Sequence, residues 1–351
     1  MNKKILFLAG GCHPGIQGGI QTFGRTLQKM FYDNIIFLAN KKKDKKIFKV
    51  DNVEEVSRGS FLFKVINRLL NNKLREKKLI KKIKSINPDI CILRSPQDLK
   101  KLDGIKCKKI LVQHTKLDRC YKNWNYYNSE INLFERSKEE LSYFVVTSLK
   151  DRYILNEKYK FPMEKIKVIR HSCELDLLEK VKIRNKDLIM IGRLDNENKR
   201  FDLAIRVMKK LPDFKLKIFG DGLDKKILEQ IIIKEKLKNV FLCGPTDIVK
   251  NKLDESGILV ITSDVEGYPI TSIEAMRRGL PIILRNTFEG ASDIVIDNGI
   301  LLEKEWEENK FIEGIKKIYN NYDYYSKNSL KMGKRHDIKV IKKEWESIFY
   351  E

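Results

Sequence analysis

The stretch SDVEGYPITSIEAMRRGLPII (263–283) sets two carboxylates, Glu266 and Glu274, with seven residues between them. The first stands just before the tight turn Gly267-Tyr268-Pro269, and the second lies inside the apolar, helix-forming run that follows. A helix opening at Ile270 and Thr271 presents unpaired N–H groups, and its dipole favours an anion such as a phosphate. Ionised carboxylates only accept hydrogen bonds, so a neutral, polyhydroxylated ligand suits them. Two such groups on either side of a phosphate site imply a ligand with hydroxyls at both ends of a diphosphate. A nucleotide sugar has that layout, with a ribose on one side and a hexose on the other.

Elements must hold these groups in place, and the 351 residues alternate apolar runs with helical stretches, the pattern of parallel sheets covered by helices. Strands are expected at 5–9, 35–38, 90–93, 110–112, 144–147 and 167–169, and again at 188–191, 215–219, 240–242, 258–261 and 281–284. The chain is longer than one core usually serves. Between the two sets runs a polar segment without period. The expectation is an α/β protein of two tandem Rossmann-like domains facing each other across a cleft. Its parts are an N-terminal domain over 1–170, a linker over 171–186, a C-terminal domain over 187–332 and a C-terminal helix over 333–351, set off by a break at Gly333 and crossing back onto the first domain.

Charge is uneven. Residues 1–175 carry 38 Lys and Arg against 18 Asp and Glu, a net +20, whereas the remainder nets +3. A basic half suggests a polyanionic partner, an anionic membrane surface or nucleic acid; a lysine-rich solvated surface is the plain alternative. The segment KVINRLLNNKLREKKLIKKIKSI (64–86) repeats apolar residues (Val65, Ile66, Leu69, Leu70, Leu74, Ile83) at three- and four-residue steps between cations. It reads as a surface helix with its stripe on the core, or as one whose lysines also touch lipid headgroups. No apolar run is long enough to span a bilayer. The opening MNKKILFLAGG is shorter in its apolar part than a signal peptide, and reads as a buried first strand of a cytoplasmic protein. Six cysteines without a C-x-x-C pair fit a reducing compartment and no zinc site.

The stretch TSDVEGYPITSIEAMRRGLPII resembles the E-x7-E region of retaining glycosyltransferases of the GT-B fold, family 4. Strand, turn, both glutamates, the Ala-Met pair and Gly-Leu-Pro all fall in order. The resemblance implies that Glu266 contacts the donor-sugar hydroxyls and Glu274 the ribose, with Gly267, Tyr268, Ile270 and Thr271 completing the donor turn. IMIGRLDNENKRFDLAI (189–205) is similar to the family's strand, Gly-Arg and lysine, which gives Arg193 and Lys199 the donor diphosphate and the leaving group; Arg200 stands beside Lys199. IFGDGLDKKIL (218–228) resembles the loop near the base, with Gly220 and Asp221. GGCHPGIQGGIQTFGRTL resembles the first glycine loop, where Gly18 and Gly19 would let backbone approach donor phosphate and acceptor. His114, ending a strand in ILVQHTK, matches the histidine that faces the donor sugar. The family's acidic residue after it is Thr115 here, and its Asn-Gly turn at the domain hinge is His171-Ser172. His13 and His336 read as surface or loop residues, and the aromatics of CYKNWNYYN (120–128) as helix packing or an acceptor lining.

What the resemblance implies is transfer of a hexose or N-acetylhexosamine, UDP-linked, with retention of configuration. His114, Glu266, Arg193 and Lys199 would form the catalytic set. No Asp-x-Asp occurs in the chain, so neither metal nor other cofactor is expected, and the cations and helix N-terminus would carry the departing diphosphate. The partners would be the nucleotide sugar, a glycolipid or polyprenyl-linked acceptor such as a lipopolysaccharide or capsule precursor, and the inner face of the cell membrane, on which the enzyme would be peripheral. Two other readings stand beside it. A nucleotide-sugar epimerase of the same fold would need no acceptor and no basic face. A nucleic-acid-binding protein would need a recognised module or stacking aromatics among the cations, and neither is clear.

Overall fold

Runs such as Ile5–Gly10 and Ile258–Ile261 are apolar at successive positions, because strands covered on both faces by helices have no solvent side. In the computed structural model such runs build two all-parallel sheets. The structure describes residues 3–41, 47–57, 73–118, 131–181 and 186–351.

One unit comprises residues 1–170 with 341–351, and the other residues 171–340. The first sheet uses β1 (Ile5–Gly10), β2 (Ile35–Asn40), β3 (Val53–Val56), β4 (Ile90–Leu93), β5 (Lys108–Val112), β6 (Tyr143–Val146) and β7 (Ile166–Val168), in the order β3-β2-β1-β4-β5-β6-β7. The second uses β8 (Asp187–Ile191), β9 (Lys215–Phe219), β10 (Val240–Gly244), β11 (Ile258–Ile261), β12 (Ile282–Arg285) and β13 (Gly299–Leu302), in the order β10-β9-β8-β11-β12-β13. Each chain segment starts mid-sheet, winds to one edge, and returns to the other side of its first strand. The reversal between β8 and β11 leaves a crevice above their carboxyl ends, the usual ligand position in such sheets.

Two strands were not expected from sequence. β3 reads VEEV and pairs only with β2, so its charges sit at a sheet edge where no apolar pattern is needed. β13 (GILL) pairs with β12 at one edge of the second sheet.

The C-terminal break is also displaced. The helix Tyr322–Lys334 runs through Gly333, and the chain turns at 335–337 before the helix Ile338–Tyr350. Gly333 serves close approach: a Cβ there would lie 2.9 Å from backbone atoms of Met276 and Arg277, so only glycine lets this helix lie against Ile270–Arg277. The last helix returns to the first unit, where Trp345 lies tilted 6.0 Å from Phe23 and Phe349 lies 5.0 Å from Phe31. Lys3 and Lys108 donate to the carbonyls of Phe349 and Ile348 at 2.6 and 2.9 Å.

Of the basic segment 64–86, the helix Lys73–Ile86 is described. Ile83 and Ile86 are buried while Lys77, Lys78, Lys81 and Lys84 are exposed, so its stripe does face the core. Val65, Ile66, Leu69, Leu70 and the aromatics of 120–128 lie outside the described residues. Residues 171–173 are buried rather than forming a solvated connector. His13 and His336 lie in loops but are not at the surface, at 2% and 1% exposed. His13 accepts from the Gly15 N–H at 3.0 Å and pairs with Glu55 at 3.0 Å; His336 bonds through both ring nitrogens.

Candidate active site

The loop after β8 is shaped by its own polar residues. Asp195 caps the short helix Asn196–Lys199, accepting from the Asn198 N–H and side-chain amide and from Arg193 Nη2 at 2.9 Å. Burial pushes the Asp195 carboxyl up, but the Asn198 bonds and the Arg193 guanidinium outweigh it and hold the group below its ordinary value. Arg200 then takes the left-handed conformation (φ 50°, ψ 45°) and ends the turn.

The loop after β11 is fastened to that turn. Thr262 Oγ1 donates to the carbonyls of Lys199 and Arg200 at 3.1 and 2.8 Å, and the Asp264 N–H donates to the Asn198 carbonyl at 2.9 Å. Arg285 clamps the same loop through the Thr262 carbonyl at 2.8 Å and Asp264 at 2.6 Å. The result brings Lys199 Nζ to 2.5 Å from Glu266 Oε1, which also accepts from Ser263 Oγ at 2.8 Å. The two side chains of this pair are 25% and 11% exposed. Arg200 is turned elsewhere, to Asp202 and Asp264 at 3.0 and 3.2 Å. Its bond to Asp202, then that to Asp264, raises the guanidinium's already high value against the burial. Of the two adjacent cations, Lys199 is therefore the one on the glutamate.

Beside the pair begins the helix Ile270–Arg277, capped by Pro269 with no side-chain cap bond. Lys199, Ser263, Glu266 and Thr271 line a cavity of about 20 Å³, room for about one water. Glu274, one turn further along, is half-buried and borders Cys173: burial first, and then the Glu274 charge, push the Cys173 thiol up to about 12. Gly267 is half-buried and Tyr268 buried, its hydroxyl 3.4 Å from His336 Nε2.

Neighbouring loops carry the other expected residues. Arg193 is 74% exposed and tethered only lightly by Asp195. The Leu194 N–H donates to the Asp221 carbonyl at 2.9 Å, placing Arg193 and Asp221 on adjoining loops. Gly220 has φ +150°, and a Cβ on it would lie 1.8 Å from the Gly192 carbonyl oxygen, so this glycine serves loop crossing. In the first unit, Gly18 and Gly19 are exposed at the start of the helix Gly19–Met30. His114, half-buried after β5, meets Phe23 edge-on at 5.1 Å.

Lys199, Glu266 and Thr271 are therefore brought together, Arg193 and Asp221 stand on adjoining loops, and Glu274 lies near Cys173. Ser263, Asp195 and His336 were missed. Ser263, three residues before Glu266, could have been found as a hydroxyl in reach of that carboxylate.

Two all-parallel, doubly wound units in tandem define the GT-B fold. Within it, residues 178–336 match the family described as Glycosyl transferases group 1. The chain is 32% identical over 177 residues to an uncharacterized glycosyltransferase of Haemophilus influenzae, covering 48% of this chain and 50% of that protein. It is 29% identical over 232 residues to a poly(ribitol-phosphate) alpha-N-acetylglucosaminyltransferase of Staphylococcus aureus, covering 63% and 46%. The chain thus spans at most about half the length of these curated relatives. Among solved structures, Anabaena Alr3699/HepE in complex with UDP and glucose superposes with a TM-score of 0.80 at 16% identity, over 99% of each chain.

Proposed function

We propose that the protein is a glycosyltransferase that moves a hexose or N-acetylhexosamine from a nucleotide sugar, UDP-linked, to a lipid-linked glycan or a lipopolysaccharide- or capsule-type acceptor at the cytoplasmic face of the membrane. The observation that carries this reading is the Lys199–Glu266 pair beside the helix start at Ile270 and Thr271. A donor can exchange both partners at once. Its diphosphate replaces the carboxylate on Lys199, and its sugar hydroxyls replace the ammonium on Glu266. Neither group is then left without a hydrogen-bonding partner, which limits the desolvation cost of the exchange.

The departing diphosphate gains negative charge as the anomeric C–O bond breaks. Lys199, the exposed Arg193 and the N–H groups of the helix start supply opposite charge there without a metal. The acceptor oxygen would bond to the anomeric carbon on the face that the phosphate leaves, its proton passing to a phosphate oxygen, with retention of configuration. The chain's net charge supports an anionic acceptor surface, because the unit holding residues 1–170 carries nearly all the excess cations. No helix among the described residues is long and apolar enough to cross a membrane.

Calorimetric titration with UDP tests the donor site. Glu274→Ala is expected to weaken UDP binding about tenfold, the size of a lost charged hydrogen bond; unchanged affinity would reject the ribose role.

A further inference from the structure

Behind the turn that carries Glu266 runs a row of buried polar groups that the proposed chemistry does not use. Tyr268 is 5% exposed, within an apolar cluster that includes Cys173, Phe288 and Met332. Its hydroxyl meets His336 Nε2 at 3.4 Å, and His336 Nδ1 lies 2.7 Å from the His171 carbonyl oxygen. The Ser172 hydroxyl donates to the His336 carbonyl at 2.7 Å. A carbonyl only accepts, so Nδ1 carries the proton. In the neutral imidazole Nε2 is then an acceptor, and Tyr268 must be the donor.

The placement in the chain gives this row its meaning. His171 and Ser172 are the first two residues of the second unit, and His336 lies five residues before the chain rejoins the first unit at Ile341. One imidazole therefore binds both chain crossings to the residue two places after Glu266. Apolar side chains of similar volume could fill this space without the desolvation cost of three polar side chains. What they could not supply is direction: a hydrogen bond fixes the Tyr268 ring and, through it, the backbone of Gly267.

We propose that His336 is a positioning residue for the donor turn, acting through Tyr268 to fix Glu266 against the sugar. The inference rests on the donor-site reading above. A displaced Glu266 loosens the sugar end of the ligand and leaves the nucleotide end alone, whereas general damage to the fold loosens both.

The test compares affinities for UDP and for the UDP-sugar that the wild-type protein binds best among UDP-glucose, UDP-galactose and UDP-N-acetylglucosamine. Tyr268→Phe keeps the ring and removes the hydroxyl. His336→Asn keeps a donor for the His171 carbonyl and removes Nε2, so it retains the fold where His336→Ala could lose it. Each is expected to weaken the UDP-sugar about fivefold, the worth of one neutral hydrogen bond, with UDP affinity within about twofold of wild type. The double variant should be no weaker than either single one. UDP-sugar binding unchanged in both, equal losses for UDP and UDP-sugar, or additive losses in the double variant would each overturn the proposal. Glu266→Ala, run alongside, separates the two levels: if it leaves UDP-sugar affinity intact, the donor-site reading fails and this inference with it.

Discussion

At the residue scale, Glu266 and Lys199 neutralise each other at 2.5 Å. Removing either alone would leave a half-buried charge unpaired, so effects on stability and on activity become entangled there. Arg193 offers a cleaner probe, because it is 74% exposed and pairs with Asp195 at the surface. Arg193→Ala is expected to cut turnover about a hundredfold while leaving the melting temperature near wild type, as for loss of one charge stabiliser at a leaving group; a near-normal rate would reject the role. Much of this was legible in the sequence. Glu266, Lys199 and Thr271 were singled out by spacing and resemblance, and the structure puts them around one cavity. The choice between Lys199 and Arg200 was not legible, since it depends on the left-handed turn at Arg200 and on Asp264, sixty-four residues away. His336 was misread for a similar reason. A single histidine after a helix looks like a loop residue until residues 171 and 268 are seen around it.

At the scale of elements, the parallel strands that carry the site could be read because burial on both faces makes them continuously apolar. β3 escaped notice because its run VEEV carries charge at a sheet edge, free of that demand. Gly333 looked like a helix end and is instead a contact point between two helices, a role invisible to local propensity. The segment entering the second unit carries a titratable cost. His171 is buried, and burial lowers its imidazole from the ordinary 6.5 to about 4. The unfolded chain takes up a proton near pH 6.5 that the folded protein refuses until about pH 4, so stability is full above that window and falls as the pH drops through it. The difference amounts to about 3 kcal/mol at its lower end. Urea denaturation between pH 7 and 4 should show this loss, and His171→Gln should flatten it. Parallel pH profiles for the two proteins would contradict the assignment.

At the scale of the whole molecule, the sequence implied a division of labour, and the charge follows the two units: residues 1–175 net +20 and the rest +3. The Lys199–Glu266 pair lies in the weakly charged unit, and the proposal gives the anionic, membrane-borne acceptor to the basic one. Lys77, Lys78, Lys81 and Lys84 of the helix Lys73–Ile86 are exposed in the basic unit. The two-unit plan was legible because each half restarts the strand-and-helix alternation. The acceptor was not, because acceptor recognition falls to loops and surfaces with no fixed residue pattern. The most direct test of transfer is release of nucleoside diphosphate from a panel of nucleotide sugars in EDTA, with and without membrane extract. The account predicts release from one donor, raised by the extract and indifferent to the chelator. No release from any donor, with a nucleotide sugar of altered configuration as product, would contradict it.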